Sequence, residues 1–138
     1  MTSDRLARDY LHRARARRIA LEALMTARAY PDVVRESQDL VELILKGALR
    51  FVGVDPPKRH DVHAVVARFV DRFPAEWRAT LGELQGTLVE LARERGPAFY
   101  GDEEASIPAS ELFGEADARR AVAVVDRLLA MYARLLEP

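Results

Sequence analysis

The run VVRESQDLVELILKGALRFVG, residues 33–53, carries apolar side chains around most of its circumference. Leu40, Val41, Leu43, Ile44, Leu45, Ala48, Leu49, Phe51 and Val52 do not alternate with polar residues as a half-buried strand requires. They surround more of a helix than one stripe would need, so the segment is a central helix or one shared with a second subunit. Glu42, Lys46 and Arg50, at successive spacings of four, leave one narrow charged line along it. Such a line is ordinarily a solvated or intersubunit ion-pair face.

Once one segment must be buried on nearly all sides, its neighbours have to supply the surrounding apolar faces. Strand signals are almost absent, and Ala, Leu, Arg and Glu dominate, which predicts an all-α chain. A first helix is expected over residues 3–30, with Ser3 as N-cap and Leu6, Tyr10, Ala14, Leu21, Leu24 and Met25 inward. The second begins at Pro31 and ends at Gly53. A third, about His60 to Phe73, turns Val62, Val65, Val66, Phe69, Val70 and Phe73 inward. The fourth carries Trp77, Leu81, Leu84, Leu88 and Leu91, with Gly82 and Gly86 open to a close neighbour, and stops at Gly96-Pro97. Residues 96–113 read as a loop, and a fifth helix directs Ala118, Val122, Val125, Leu129, Tyr132 and Leu136 inward, with Glu115 and Asp117 in its first turn. The expectation is a five-helix up-and-down bundle forming one domain over residues 1–138.

The formal charge of -1 provides no general attraction to nucleic acid, but its distribution is uneven. Residues 1–30 hold seven arginines against Asp4, Asp9 and Glu22, a local +4; residues 61–138 hold nine arginines against fourteen acids, a local -5. A polyanion would meet the first helix, whose arginines otherwise form a solvated face. The absence of cysteine excludes disulfides and thiolate metal sites and suits a reducing compartment, and no segment has the ~20 apolar residues of a membrane span. A cytoplasmic protein without membrane attachment is expected.

Familiar enzyme signatures are missing. Ser3, Ser37, Ser106 and Ser110 stand in no Gly-x-Ser-x-Gly setting, and Lys46 and Lys58 follow no glycine-rich phosphate loop. His60 and His63 are three apart with Asp61 between, but no Glu-x-x-His accompanies them, so neither a metal nor any other cofactor is predicted. The simpler reading gives Asp61 to the helix start, one histidine to packing and the other to solvent.

The order of features carries more than any one of them. A helix ending at Tyr30 is followed by YPDVVRESQDLVELILKGALRFVGVDPPKRHDV, then LVELARERGPAFYGDE, then ADARRAVAVVDRLLAMYARLL. This resembles the HEPN domain family through Tyr30, Glu42 and Lys46 in Glu-x-x-x-Lys, a glycine and prolines, the helix-start motif His60-Asp61, and Arg95 to Tyr100. The resemblance implies a homodimer paired with a small nucleotidyltransferase-like protein in a toxin–antitoxin type system. It also implies, for many members, a metal-independent RNase with an Arg, four to six intervening residues and a His. There an imidazole of pKa ~6.5 moves protons while the guanidinium holds phosphate.

Arg93 and Arg95 occupy the family's arginine region, but no histidine follows at the required distance; Phe99 and Tyr100 stand there instead. Arg5 and His12 match the spacing by coincidence in the first helix. A tyrosine of pKa ~10 is a poor proton acceptor at neutral pH, so phosphate affinity should outlast general-base catalysis. The expectation is a noncatalytic member with Lys46, Arg93, Arg95 and Tyr100 lining a pocket for nucleotide or RNA phosphate. Two alternatives stand beside it: an RNase with a displaced histidine, His60, and a purely structural dimerisation module. In the plainest reading Arg93 and Arg95 complement the end of the fourth helix and Tyr100 tucks under the loop.

Overall fold

A computed structural model of the chain describes residues 2–138, with side chains from residue 4 onward, so the side chain of Ser3, expected as the N-cap, lies outside what it describes. The helices are α1 (Thr2–Thr26), α2 (Tyr30–Phe51), α3 (His63–Arg68), α4 (Ala75–Tyr100), α5 (Ala109–Leu112) and α6 (Glu115–Leu136), with a 3-10 turn at Val70–Arg72. Among the described residues the only β pairing is an isolated antiparallel bridge between Asp102 and Ile107. The all-helical expectation holds, with six helices in place of five.

Helix α2 is the centre, packed against α1, α4 and α6. Leu40, Val41, Ile44, Leu45, Ala48 and Leu49 are buried in one cluster with residues of the other long helices, while Leu43, Phe51 and Val52 are half-buried at its edge. Its inner surface is tight at Gly47, where a Cβ would stand 2.7 Å from Tyr132 Cζ of α6. The Tyr132 hydroxyl passes this point to donate to the carbonyl of Ala7 on α1, tying three helices together. Gly82 and Gly86 have nothing within 4 Å of an added Cβ. The close approach expected of them occurs at Gly47.

The inward line of α1 is Ala7, Leu11, Ala14 and Leu21. Leu6 is exposed and Tyr10, Leu24 and Met25 are half-buried, because the small Ala7 and Ala14 let α1 lie close against its neighbours. Helix α1 ends four residues short of the expected boundary: the Arg28 amide donates to Met25 and the Ala29 amide to Leu24, with Arg28 at φ 58°. Helix α2 ends in the same double bond, Gly53 to Arg50 and Val54 to Leu49, with Gly53 at φ 85°. This is the ordinary glycine-type helix stop, used once with glycine and once without.

Three boundaries differ from expectation for tertiary reasons. The third helix starts at His63 because the residues before it are held elsewhere: Gln38 Nε2 donates to the His60 carbonyl and Arg59 engages Asp61. Helix α4 runs through Gly96-Pro97 to Tyr100. Pro97 and Arg93, whose carbonyl loses its usual donor, are both exposed, while buried Ala98 anchors the last turn. Gly101, at φ 75°, ends the helix where a Cβ would meet the Ile107 carbonyl and lie 2.9 Å from the Ala109 amide. The loop expected over residues 96–113 therefore shrinks to residues 101–108, and α5 follows it. In α6 the Asp117 carboxylate accepts from the Gly114 amide at 2.9 Å, and the buried line is Ala118, Ala121, Val124, Val125, Leu128, Met131, Tyr132 and Leu136. Val122 and Leu129, expected inward, are half-buried.

Candidate functional site

The arginines of α1 are mostly engaged within the bundle. Arg15 pairs with Glu137 at 2.7 Å, and Arg18 reaches Asp126 at 2.5 Å and Glu22 at 2.8 Å. The Asp126 hydrogen bond raises the Arg18 pKa above its ordinary value against the effect of burial. The sequence's basic first helix is thus partly strapped to Asp126 of α6 and to Glu137 just beyond its end. Arg13, 3.8 Å from Asp9, and Arg17, which donates to Glu36 of α2 at 3.3 Å, also line a cleft.

That cleft, about 300 Å³, lies between α1, α2 and α4 and is walled by Tyr10, Arg13, Arg17, Asp39, Glu42, Leu43, Lys46 and Arg95. Asp39, Glu42 and Lys46 stand at i, i+3 and i+7 on α2, which puts them on one face. Asp39 is approached from both sides, by Arg95 Nε at 3.3 Å and by Arg35 Nε at 3.4 Å. The Arg95 contact is an ion pair out of hydrogen-bond alignment, and among the described residues its guanidinium donates no hydrogen bond. Lys46, half-buried, makes no ion pair among them either. Four cations therefore face two carboxylates, and two of the four retain their donors for a ligand.

The second carboxylate has its own partner. His60 Nδ1 lies 2.6 Å from Glu42 Oε1, although eighteen positions separate the two residues. A carboxylate accepts, so the bonded nitrogen carries the proton and Nε2 is left toward solvent on a ring whose side chain is 58% exposed. Asp61 turns away, paired with Arg59 at 2.8 Å, and that hydrogen bond lowers its pKa.

Of the residues expected to share a pocket, Lys46 and Arg95 do so. Arg93 lines a separate depression of about 310 Å³ with Asp61, His63, Val89 and Ala92. There burial lowers the His63 pKa, opposed by Asp61 and reinforced by Arg59. Tyr100 is 65% exposed at the end of α4 and does not tuck under the loop; it stacks edge-on against Phe99. Sequence reasoning missed Arg13, Arg17, Asp39 and Arg35. The spacing of Asp39 three before Glu42 was a signal for one of them; which arginines of α1 would face inward was decided by packing alone.

Among the described residues no group of three or more His, Asp or Glu side chains could hold a metal ion, and no helix is long and apolar enough to cross a membrane. The cleft's chemistry is that of three guanidinium groups and an ammonium, unpaired among the described residues, beside two carboxylates, which suits an anion with several oxygens. No curated protein and no solved structure matches the chain. The sequence model of the HEPN domain matches residues 7–135, nearly the whole chain, and the protein belongs to that family.

Proposed function

We propose that the cleft between α1, α2 and α4 binds a phosphate of a nucleotide or RNA, and that the protein acts by binding rather than by strand scission. The observation that supports this reading is the pair Lys46 and Arg95, which open to one cleft with their donors uncommitted among the described residues. Arg13 and Arg17 add charge on the α1 side. In this reading the protein works as a homodimer together with a nucleotidyltransferase-like partner, in a toxin–antitoxin type pair. The experiment is a titration of nucleotide and of labelled RNA into the purified chain, with Arg95→Ala beside it. Saturable binding lost in the variant supports the site, and binding unchanged by the substitution removes it.

A second reading is favoured by the His60–Glu42 hydrogen bond. An exposed imidazole oriented by a carboxylate near an arginine-lined cleft is the arrangement that metal-independent RNA cleavage needs, with His60 replacing the histidine absent after Arg95. An RNA cleavage assay in chelator separates the two. Intact RNA supports the binding reading; cleavage abolished by His60→Ala supports the enzyme. A dimer that takes up neither nucleotide nor RNA would leave the structural module.

A further inference from the structure

Most large apolar side chains of α4 are buried, yet its last turn presents Phe99 at 54% and Tyr100 at 65% exposure, with ring centroids 4.8 Å apart and planes at 84°. Two adjacent exposed aromatics bury little of their surface and contribute little to the core. Their surroundings are ordered. The Arg35 guanidinium lies 4.9 Å from the Phe99 ring centre, and its Nη1 donates to the Arg95 carbonyl at 2.9 Å. Its Nε meets Asp39 at 3.4 Å, the same carboxylate that holds Arg95 at 3.3 Å in the cleft. One aspartate thus links the aromatic pair to the phosphate-type cleft, and Phe99 follows Arg95 by four residues, about 6 Å along the helix.

We infer that Phe99 and Tyr100 form a stacking platform for a base of single-stranded nucleic acid whose backbone phosphate occupies the cleft at Lys46 and Arg95. This rests on the phosphate reading and adds to it: the ligand is a polymer or nucleotide with an unpaired base, not phosphate alone. Cations along a groove hold a backbone irrespective of sequence, and exposed aromatic rings beside them take unpaired bases by their faces. Arg35 stiffens the platform, since a guanidinium over an aromatic face is a favourable contact that also fixes the ring. The hydroxyl of Tyr100 has no part in this, so the ring alone should suffice.

The test compares two probes on the full chain by fluorescence anisotropy: a short labelled oligoribonucleotide and an abasic oligomer of equal length and charge. The native protein is expected to bind the base-containing probe more tightly. Tyr100→Ala, at a position exposed enough to leave folding intact, should weaken that probe about 5- to 100-fold and leave the abasic one unchanged. Tyr100→Phe should bind both as the native chain does, and Phe99→Ala should behave as Tyr100→Ala. Equal affinity of the native chain for the two probes overturns the platform, as does a loss in Tyr100→Ala that is the same for both. Failure of the phosphate reading looks different: the abasic probe then binds no more weakly when Lys46 or Arg95 is replaced by alanine.

Discussion

Gly47 and Tyr132 meet where α2 and α6 lie close together, and the contact explains why a glycine stands in the middle of the central helix. A Cβ at position 47 would lie 2.7 Å from Tyr132 Cζ and 3.2 Å from Tyr10 Cβ, so Gly47→Ala forces α2 and α6 apart or displaces the ring. Burial has already pushed the Tyr132 hydroxyl pKa above its ordinary value, so the group stays a neutral donor to the Ala7 carbonyl. Overpacking of this kind destabilises by about 1–3 kcal/mol, enough to lower the denaturation midpoint visibly in urea, whereas a glycine in ordinary helix would gain from the change. A variant as stable as the parent would mean that the helices do not meet there. Composition could not reveal this glycine, since Gly47, Gly82 and Gly86 look alike in sequence and only the opposing helix distinguishes them.

His63 supplies the pH dependence at the same scale. Its burial keeps the folded pKa below 6.5, so the unfolded chain takes up the proton first as the pH falls. The stability it contributes is full above about pH 6.5 and declines through the interval down to the folded value, then levels. His63→Gln should therefore lose less melting temperature than the parent between about pH 7 and about pH 5, and parallel curves for the two proteins would contradict the assignment. Asp61 moderates the effect because its charge favours the protonated ring.

At the scale of elements, the two helix ends at Arg28 and Gly53 form a natural comparison. Both use the left-handed residue that closes the last turn, but only one places glycine there. A side chain in that region costs roughly 1 kcal/mol relative to glycine. Arg28→Gly should raise stability by about that amount and Gly53→Ala lower it by a similar amount, both read from chemical denaturation. If Arg28→Gly is destabilising, the arginine makes contacts that outweigh its backbone strain. The Gly53 stop was legible because glycine followed by Val-Asp-Pro-Pro has no other local reading, whereas nothing near Arg28 marks a turn before Pro31.

Helix α4 shows the opposite error of local reasoning. Gly96-Pro97 is a strong breaker, yet the helix continues for a further turn because its solvent side tolerates the lost hydrogen bond and Ala98 is buried. Arg35 also caps the Arg95 carbonyl from α2, a contact between residues sixty positions apart that no local signal encodes. Phe99 and Tyr100 are consequently carried on a helix end rather than on the loop that their sequence suggested.

For the whole molecule, the all-helical fold with α2 at its centre followed from periodicity and from the apolar circumference of that one segment. The charge asymmetry between the two ends of the chain was equally legible, but its use was not: Arg15 and Arg18 spend it on Glu137 and Asp126. Lys46 and Arg95 were singled out through family resemblance, and the fold brings them to one cleft, while Arg93 faces another. The His60–Glu42 contact and the cleft-facing turn of Arg13 and Arg17 depend on how the helices pack, information that emerges only with the assembled bundle.

The proposal that the cleft binds phosphate is tested most directly by the salt dependence of affinity for a short single-stranded RNA. Each cation that neutralises a phosphate releases counterions, so the slope of log affinity against log salt should shrink by about 0.7 for Lys46→Ala and again for Arg95→Ala, and remain unchanged for Arg119→Ala, which lines a different depression between α1 and α6. Slopes identical in all four proteins would contradict the account.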